Sequence, residues 1–180
     1  QPGHVIYAIG LTSDFRSRPF DTAEAHVGRL TDLLQQGRFE SFLYLSSTRV
    51  YQGGDCTQET AKLQVQPSFP SELYNLTKLT GECLVLNCGL PGTRVVRLSN
   101  VVGPAEALRN TFIGDLSRGA LKGTIHLQTN PASAKDYIWI DDILPLLMLI
   151  SLRGQQRVYN LASGKQLLHK DWVFSIANLT

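Results

Sequence analysis

An α/β domain built on a parallel sheet flanked by helices is the fold class this sequence predicts, on three observations. Short apolar runs alternate along the chain with stretches of helical periodicity, the pattern of parallel strands joined by crossover helices. Two of the strand-like runs are followed by polar pairs, Ser47-Thr48 and Ser99-Asn100. Open parallel sheets hold their ligands at that carboxyl edge. The third observation is size: 180 residues, 43% hydrophobic and 18% charged, suffice for one globular domain with a substantial core.

Taken in order, residues 5–10 form a short apolar run of the buried-strand kind. Ala23, Val27, Leu30 and Leu34 then share one helical face, and Gly37 closes that helix. Residues 41–46 read as a second strand. A polar stretch over 52–70 follows, broken by Gly53-Gly54, Pro67 and Pro70. Ser71 is expected to cap a helix running to about Asn87, ended by Gly89 and Pro91. Residues 93–98 make a third strand, and 111–122 another helix before Gly123. Weaker strands are expected at 125–127 and 137–140. Residues 142–153 read as a helix that carries Pro145 in its first turn, with Asp141-Asp142 as its cap. A last strand at 158–161 and a helix from 171 to 179 complete the series.

Several function classes are excluded by composition. A formal net charge of +2, with no basic run and no interleaved aromatics, argues against nucleic acid as a partner. Cys56, Cys83 and Cys88 lack C-x-x-C spacing, and His4, His26, His126 and His169 are scattered, so no metal site is expected. The longest apolar stretch, 143–152, is too short to span a bilayer, and no signal peptide is recognised; the chain reads as cytoplasmic, without a membrane partner. Two N-x-T triplets, at Asn75 and Asn178, read as chance matches.

The chemistry rests on Tyr74 and Lys78, which four-residue spacing places on one helix face. An ammonium beside a phenol favours the phenolate, so the tyrosine is expected to titrate below its ordinary value of ~10. Ser47, delivered from the end of the second strand, can share a substrate proton with that phenol. The set is then a general acid/base for oxidising or reducing an alcohol carbon.

In order along the chain, these motifs resemble the extended short-chain dehydrogenase/reductase family, in its NAD-dependent nucleotide-sugar epimerase/dehydratase branch. Val5-Ile6-Tyr7-Ala8-Ile9-Gly10 is similar to the family's V-x-H-x-A-G/A strand, and Tyr44-Leu45-Ser46-Ser47-Thr48-Arg49-Val50-Tyr51 to its S-S-x-x-V-Y-G segment. Tyr74-Asn75-Leu76-Thr77-Lys78 matches Y-x-x-x-K, and Arg97-Leu98-Ser99-Asn100-Val101-Val102-Gly103-Pro104 resembles R-x-x-N-v-y-G-P. Lys135-Asp136-Tyr137-Ile138-Trp139-Ile140-Asp141-Asp142 is similar to R-D-[FY]-[IV]-H-V-x-D, and Val158-Tyr159-Asn160-Leu161-Ala162-Ser163-Gly164 to x-Y-N-[IL]-G-x-G.

The resemblance implies a Rossmann-like fold, with residues 1–110 as part of an NAD(P)-binding domain and 111–180 as a mixed Rossmann and substrate-binding region interleaved with it. It implies NAD or NADP as cofactor and a nucleotide-sugar as substrate. Tyr74 would be the acid/base on a sugar hydroxyl, Ser47 would share its hydrogen bond, and Lys78 would also hold the nicotinamide ribose. Ala8, Gly10, Leu98 and Ser99 would line the cofactor cleft. Asn100, Lys135, Thr12, Ser13 and Thr48 would contact the nucleotide-sugar. By the same analogy, helices near 21–36 and 72–87 would form a homodimer interface.

Departures from the family pattern narrow the reaction. Thr48 and Arg49 stand where 4,6-dehydratases of the family carry Asp-Glu, so water elimination is not expected. His26 stands where many members have Asn, Lys135 where they have Arg, and Gln52 where a glycine is usual. The family's glycine-rich phosphate loop, G-x-x-G-x-x-G, has no counterpart in these residues, whose first strand corresponds to the family's fourth. The expectation is therefore an epimerase or keto-reductase, of which this is the middle-to-late part and which by itself binds a dinucleotide poorly. The alternative is a catalytically silent, Rossmann-like binding or scaffold module.

Overall fold

The structure, a computed structural model, describes residues 3–11, 13–104 and 111–179. It divides into two compact units, Gln1–Leu98 with Pro145–Leu161, and Ser99–Leu144 with Ala162–Thr180.

The first unit holds a fully parallel sheet in the order β1 (His4–Tyr7), β2 (Ser41–Ser47), β3 (Thr93–Leu98), β6 (Val158–Leu161). Between β1 and β2 runs a helical stretch made of α1 (Pro19–Ala23), a wider π turn (Glu24–Gly28) and α2 (Arg29–Gln36). Gly37 ends it in the left-handed conformation, φ 59°, which glycine adopts without the usual Cβ penalty. α3 (Glu72–Asn87) connects β2 to β3. The strands bury Phe42, Leu43, Tyr44, Val95 and Val96 almost completely, and the helices add Leu30, Leu34 and Val85. Each such aliphatic side chain contributes about 1.5–3 kcal/mol of transfer free energy. α3 approaches the sheet closely because Gly81 has no side chain; a Cβ there would collide with the Tyr44 hydroxyl.

The second unit has a smaller sheet in the order β4 (Asn100–Val102), β5 (Ala134–Trp139), β7 (Gln166–Leu168), parallel in its first pairing and antiparallel in its second. α4 (Phe112–Leu121) and α6 (His169–Ala177) pack in it, with Phe112 against His169 at 4.3 Å between rings and Tyr137 against Trp172 at 5.2 Å. Thr111 caps α4, its hydroxyl accepting from the Gly114 amide. α5 (Ile140–Arg153) spans the change of unit at Pro145.

Several sequence expectations are corrected here. The first strand stops at Tyr7, so Ala8, Ile9 and Gly10 are exposed loop residues. Ser71 does not cap α3 with its side chain: its backbone is already helical, φ −73° and ψ −16°, whereas a capping residue needs an extended one. A preceding turn supplies the entry instead, the Glu72 amide donating to the Phe69 carbonyl. No strand forms over 125–127, where the chain folds back on the end of α4 through the Thr124 amide and Gly119 carbonyl. α5 begins at Ile140, which places Asp141 and Asp142 inside its first turn rather than at its cap and Pro145 beyond that turn. β4, β7 and the antiparallel pairing have no counterpart in the expected parallel sheet. Among the described residues, no helix is long and apolar enough to cross a membrane.

Candidate functional site

Parallel pairing aligns Ser47, Leu98 and Leu161 in one row at the carboxyl ends of β2, β3 and β6. Ser47 turns the chain out of β2: its hydroxyl accepts from the Arg49 amide at 3.2 Å and starts a 3-10 turn over Thr48–Tyr51. From the other side α3 presents Tyr74 and Lys78. The Lys78 ammonium donates to the Leu45 carbonyl at 2.9 Å and lies 5.0 Å from the Tyr44 ring centroid and 5.9 Å from that of Tyr74. The position a Gly10 Cβ would take is 3.5 Å from Lys78 Nζ and 3.1 Å from His26 Nε2. Ser47, Tyr74, Lys78 and Gly10 are thus drawn together within the first unit, with Thr48 beside them in the chain.

The electrostatics differ from the sequence expectation. Burial pushes the Tyr74 phenol above its ordinary value, although a hydrogen bond from Ser47 and the charge of Arg49 both pull it down. Lys78 does not lower the tyrosine; burial instead brings the lysine itself down to about 8, partly opposed by Glu82. Taking both groups out of water disfavours both charges, and that outweighs their mutual attraction. Arg49 shares in this, its guanidinium lying over the Phe15 and Tyr74 rings at 5.5 and 5.9 Å.

His26 is completely buried in the π turn, where Nδ1 meets the Thr77 hydroxyl at 2.8 Å. Burial and the neighbouring Lys78 hold its pKa down at about 3, so it is neutral. Thr77 in turn lies against the Leu73 and Tyr74 carbonyls. With that hydroxyl donating to a carbonyl, Nδ1 carries the imidazole proton. Nε2 then presents a lone pair, and no group among the described residues donates to it.

Behind these residues lies a polar network that sequence reasoning missed. Glu82 accepts from Arg97 Nη2 at 2.6 Å and Nε at 3.0 Å, and from the Ser46 hydroxyl at 2.5 Å; Glu82 and Arg97 are 3% and 4% exposed. Arg97 Nη1 donates to the Tyr51 hydroxyl at 2.7 Å, which donates to Asn160 Oδ1 at 2.8 Å. Asn160 Nδ2 reaches the Thr57 carbonyl. Two signals pointed to this network: Glu82 continues the Tyr74–Lys78 face by one more turn, and Arg97 interrupts an apolar strand, where a charge requires a partner.

The other sequence-derived residues are placed differently. Leu98 is half-buried at the end of β3. In the second unit Ser99 is buried and Asn100 exposed, its Nδ2 donating to the Asp136 carbonyl at 2.9 Å. Lys135 is exposed at the start of β5. Asp136 gathers a turn, accepting from the Ser163 amide and hydroxyl at 2.9 Å and from the Lys165 amide at 3.0 Å. Thr12 and the side chain of Ser13 lie outside the described residues; the backbone of Ser13 opens a 3-10 turn. An open hollow of the first unit, about 630 Å³, lies among Gly89, Gly92 and Arg157 at the amino ends of β3 and β6, the opposite edge of the sheet from Ser47.

Solved structures share this fold. MoeE5 in complex with UDP-glucose and NAD superposes with a TM-score of 0.83 at 22% identity, over 98% of this chain and 62% of that one. For UDP-N-acetylglucosamine 4-epimerase from Methanobrevibacter ruminantium M1, in complex with UDP-N-acetylmuramic acid, the values are 0.81, 18%, 99% and 60%. The NAD complex of dTDP-glucose 4,6-dehydratase from Bacillus anthracis str. Ames gives 0.75, 20%, 99% and 56%. The chain therefore spans about three fifths of the length of these proteins. No curated protein matches its sequence significantly. Residues 1–162, nearly the whole chain, match the NAD dependent epimerase/dehydratase family, and the chain belongs to that family.

Proposed function

We propose that this protein is an NAD(P)-dependent nucleotide-sugar epimerase or keto-reductase, with Ser47, Tyr74 and Lys78 as its acid/base group. The observation that carries the reading is the meeting of the Ser47 hydroxyl, the Tyr74 phenol and the Lys78 ammonium beside the bare Cα of Gly10. A dinucleotide fits that arrangement. Gly10 leaves open, next to Lys78 Nζ, space that any side chain would fill. Ala8, Gly10, Tyr74, Lys78 and Leu98 of the first unit, and Ser99 of the second, are the residues proposed to hold it. A bound nicotinamide would supply the acceptor for a hydride from a sugar carbon and its later return.

Tyr74 takes the proton of the sugar hydroxyl as that carbon is oxidised and gives it back on reduction. The Ser47 hydroxyl steadies the developing charge on the shared oxygen. Burial holds Tyr74 protonated in the free protein and brings Lys78 down to about 8, where it still carries its charge at neutral pH. To act as a base Tyr74 must first give up that proton, and a substrate hydroxyl entering beside Ser47 and Tyr74 supplies the polar contacts that favour the phenolate. Thr48, Thr12 and Ser13, with Asn100 and Lys135 in the second unit, are proposed contacts to the nucleotide-sugar, and a homodimer through helices near 21–36 and 72–87 is proposed by analogy. Water elimination is disfavoured: Arg49 packs on the Tyr74 ring where a dehydratase of the family needs a carboxyl group.

The test is conversion of UDP-sugars by the purified protein supplied with NAD or NADP, alongside Tyr74→Phe. Loss of the phenol should lower turnover about 10²–10⁴-fold while nucleotide-sugar binding persists. Near-normal turnover in Tyr74→Phe would sink the acid/base assignment. Binding of a UDP-sugar with no turnover in the unaltered protein would favour a silent binding module.

A further inference from the structure

We propose that Glu82 is a positioning residue for the Ser47–Tyr74–Lys78 group: one carboxylate fastens α3 to the ends of β2 and β3 and sets its charge one helical turn from Lys78. The inference rests on the functional reading above for the role of Lys78, but its evidence is geometric. Ser46 and Arg97 are partners in the β2–β3 register, so their side chains leave the sheet on the same face. Both end on Glu82, at 2.5 Å from Ser46 and 2.6 Å from Arg97. Ser46 immediately precedes Ser47, and Arg97 immediately precedes Leu98. Glu82 stands one turn from Lys78 and two from Tyr74 on the same helix face. A single side chain therefore sets where α3 rests along two strands whose next residues belong to the site.

Arg97 extends the fastening outward. Its Nη1 also reaches the Glu59 carbonyl at 3.3 Å, and the Asn160 amide donates to Glu59 Oε1 at 3.0 Å, which pins the polar stretch between β2 and α3 to β6. Buried ion pairs of this kind seldom stabilise a fold more than apolar side chains of the same volume would. Its position beside three site residues points to placement and charge.

The groups facing Lys78 can be named element by element. Tyr44 comes from β2, neutral His26 from the π turn, and Tyr74 and Glu82 from α3 itself. Arg97 of β3 lies beyond Glu82, and Arg49 of the 3-10 turn lies over the far ring of Tyr74. Glu82 is the one anion in this set. Its charge works against the burial that lowers Lys78.

The experiment is a pH titration of the Lys78 amine by NMR in protein labelled at lysine Cε and Nζ, the signal assigned by its loss in Lys78→Arg. Glu82→Gln keeps the shape and removes the charge, so the Lys78 midpoint should fall about one pH unit below that of the unaltered protein. Should Glu82→Gln fail to fold, the double variant Glu82→Met with Arg97→Met leaves no lone buried charge and should still show a downward shift, smaller because the more distant Arg97 cation is lost with the anion. A purely structural role predicts the reverse: loosened packing lets water reach Lys78, and its midpoint climbs toward the ordinary lysine value of ~10.4. An unchanged or raised midpoint in the folded variants overturns the proposal. No cofactor or substrate is needed, so the result stands apart from success or failure of the proposed reaction.

Discussion

Two lysines, one in each unit, carry similar sequence signals and live in opposite surroundings. Lys78 is 5% exposed, lies near aromatic rings and a neutral imidazole, and shares a helix face with a buried carboxylate. Lys135 lies at an exposed strand start, where the neighbouring Asp136 spends its oxygens on a surface turn. Where a charged head reaches water, solvent screens it and any single contact carries little weight. Inside the protein the same charge must be matched by partners at fixed distances, and the partners become as consequential as the charge itself. The polar groups behind the Tyr74–Lys78 face should therefore dominate the response to mutation.

The widest separation between the two regions should come from removing a cation in each. Arg97→Met strands Glu82 without its partner in the core, a loss of about 3–5 kcal/mol. Lys135→Met, on the surface, should stay within about 0.5 kcal/mol of the unaltered protein. Urea unfolding at neutral pH reads both. Equal effects would mean that the buried network carries no special weight.

How far this contrast could be seen beforehand depends on the residue. Strands β2, β3 and β6 were legible as short, mostly apolar runs and helix α3 by the Gly89 and Pro91 that follow it, and the strand-end placement of Ser47 followed from them. Short elements were not: β4 and β7 are three residues each, held by pairing with β5 rather than by any pattern of their own. Ser71 carried a capping signal, but a turn at Phe69–Glu72 had already set the backbone helical. The direction of the tyrosine shift was misread because spacing reports the distance between charges and says nothing of how much water is lost on burial. His26 showed only as a departure from a family pattern. That it lies in a π turn, fully buried with one nitrogen bound and one bare, follows from tertiary packing.

That histidine sharpens the comparison through acid stability. In the folded protein it titrates near 3, and in the unfolded chain at ~6.5. Between those values the unfolded chain binds a proton that the folded one refuses, so stability falls as pH drops below ~6.5 and continues to fall toward 3. His26→Phe removes that term. Between pH 7 and pH 5 the unaltered protein should lose about 2 kcal/mol more than the variant, as read from urea midpoints. Parallel losses in the two proteins would show that His26 charges freely when folded, and the packing around Lys78 would then be looser than described.

The smallest effect is expected at Asp136. Burial raises its pKa, but the Ser163 amide, the Ser99 and Ser163 hydroxyls and the Gly164 amide together outweigh that and leave it below the ordinary carboxylate value. A depressed folded pKa means that the carboxylate contributes stability above its unfolded value of ~3.9 and loses it as pH falls through the folded one. The contribution is screened by solvent, about 1 kcal/mol or less, and confined to the turn it holds. Asp136→Asn keeps an acceptor but cannot serve several donors as a carboxylate does. Amide hydrogen exchange at Ser163 and Lys165 should accelerate up to about fivefold at pH 7. The difference should shrink as pH falls through the depressed folded value and the carboxyl becomes neutral, and exchange in α3 should be unaffected throughout. An acceleration that spreads into α3 would show that the surface turn and the buried face are energetically coupled, and the division drawn between the two lysines would fail.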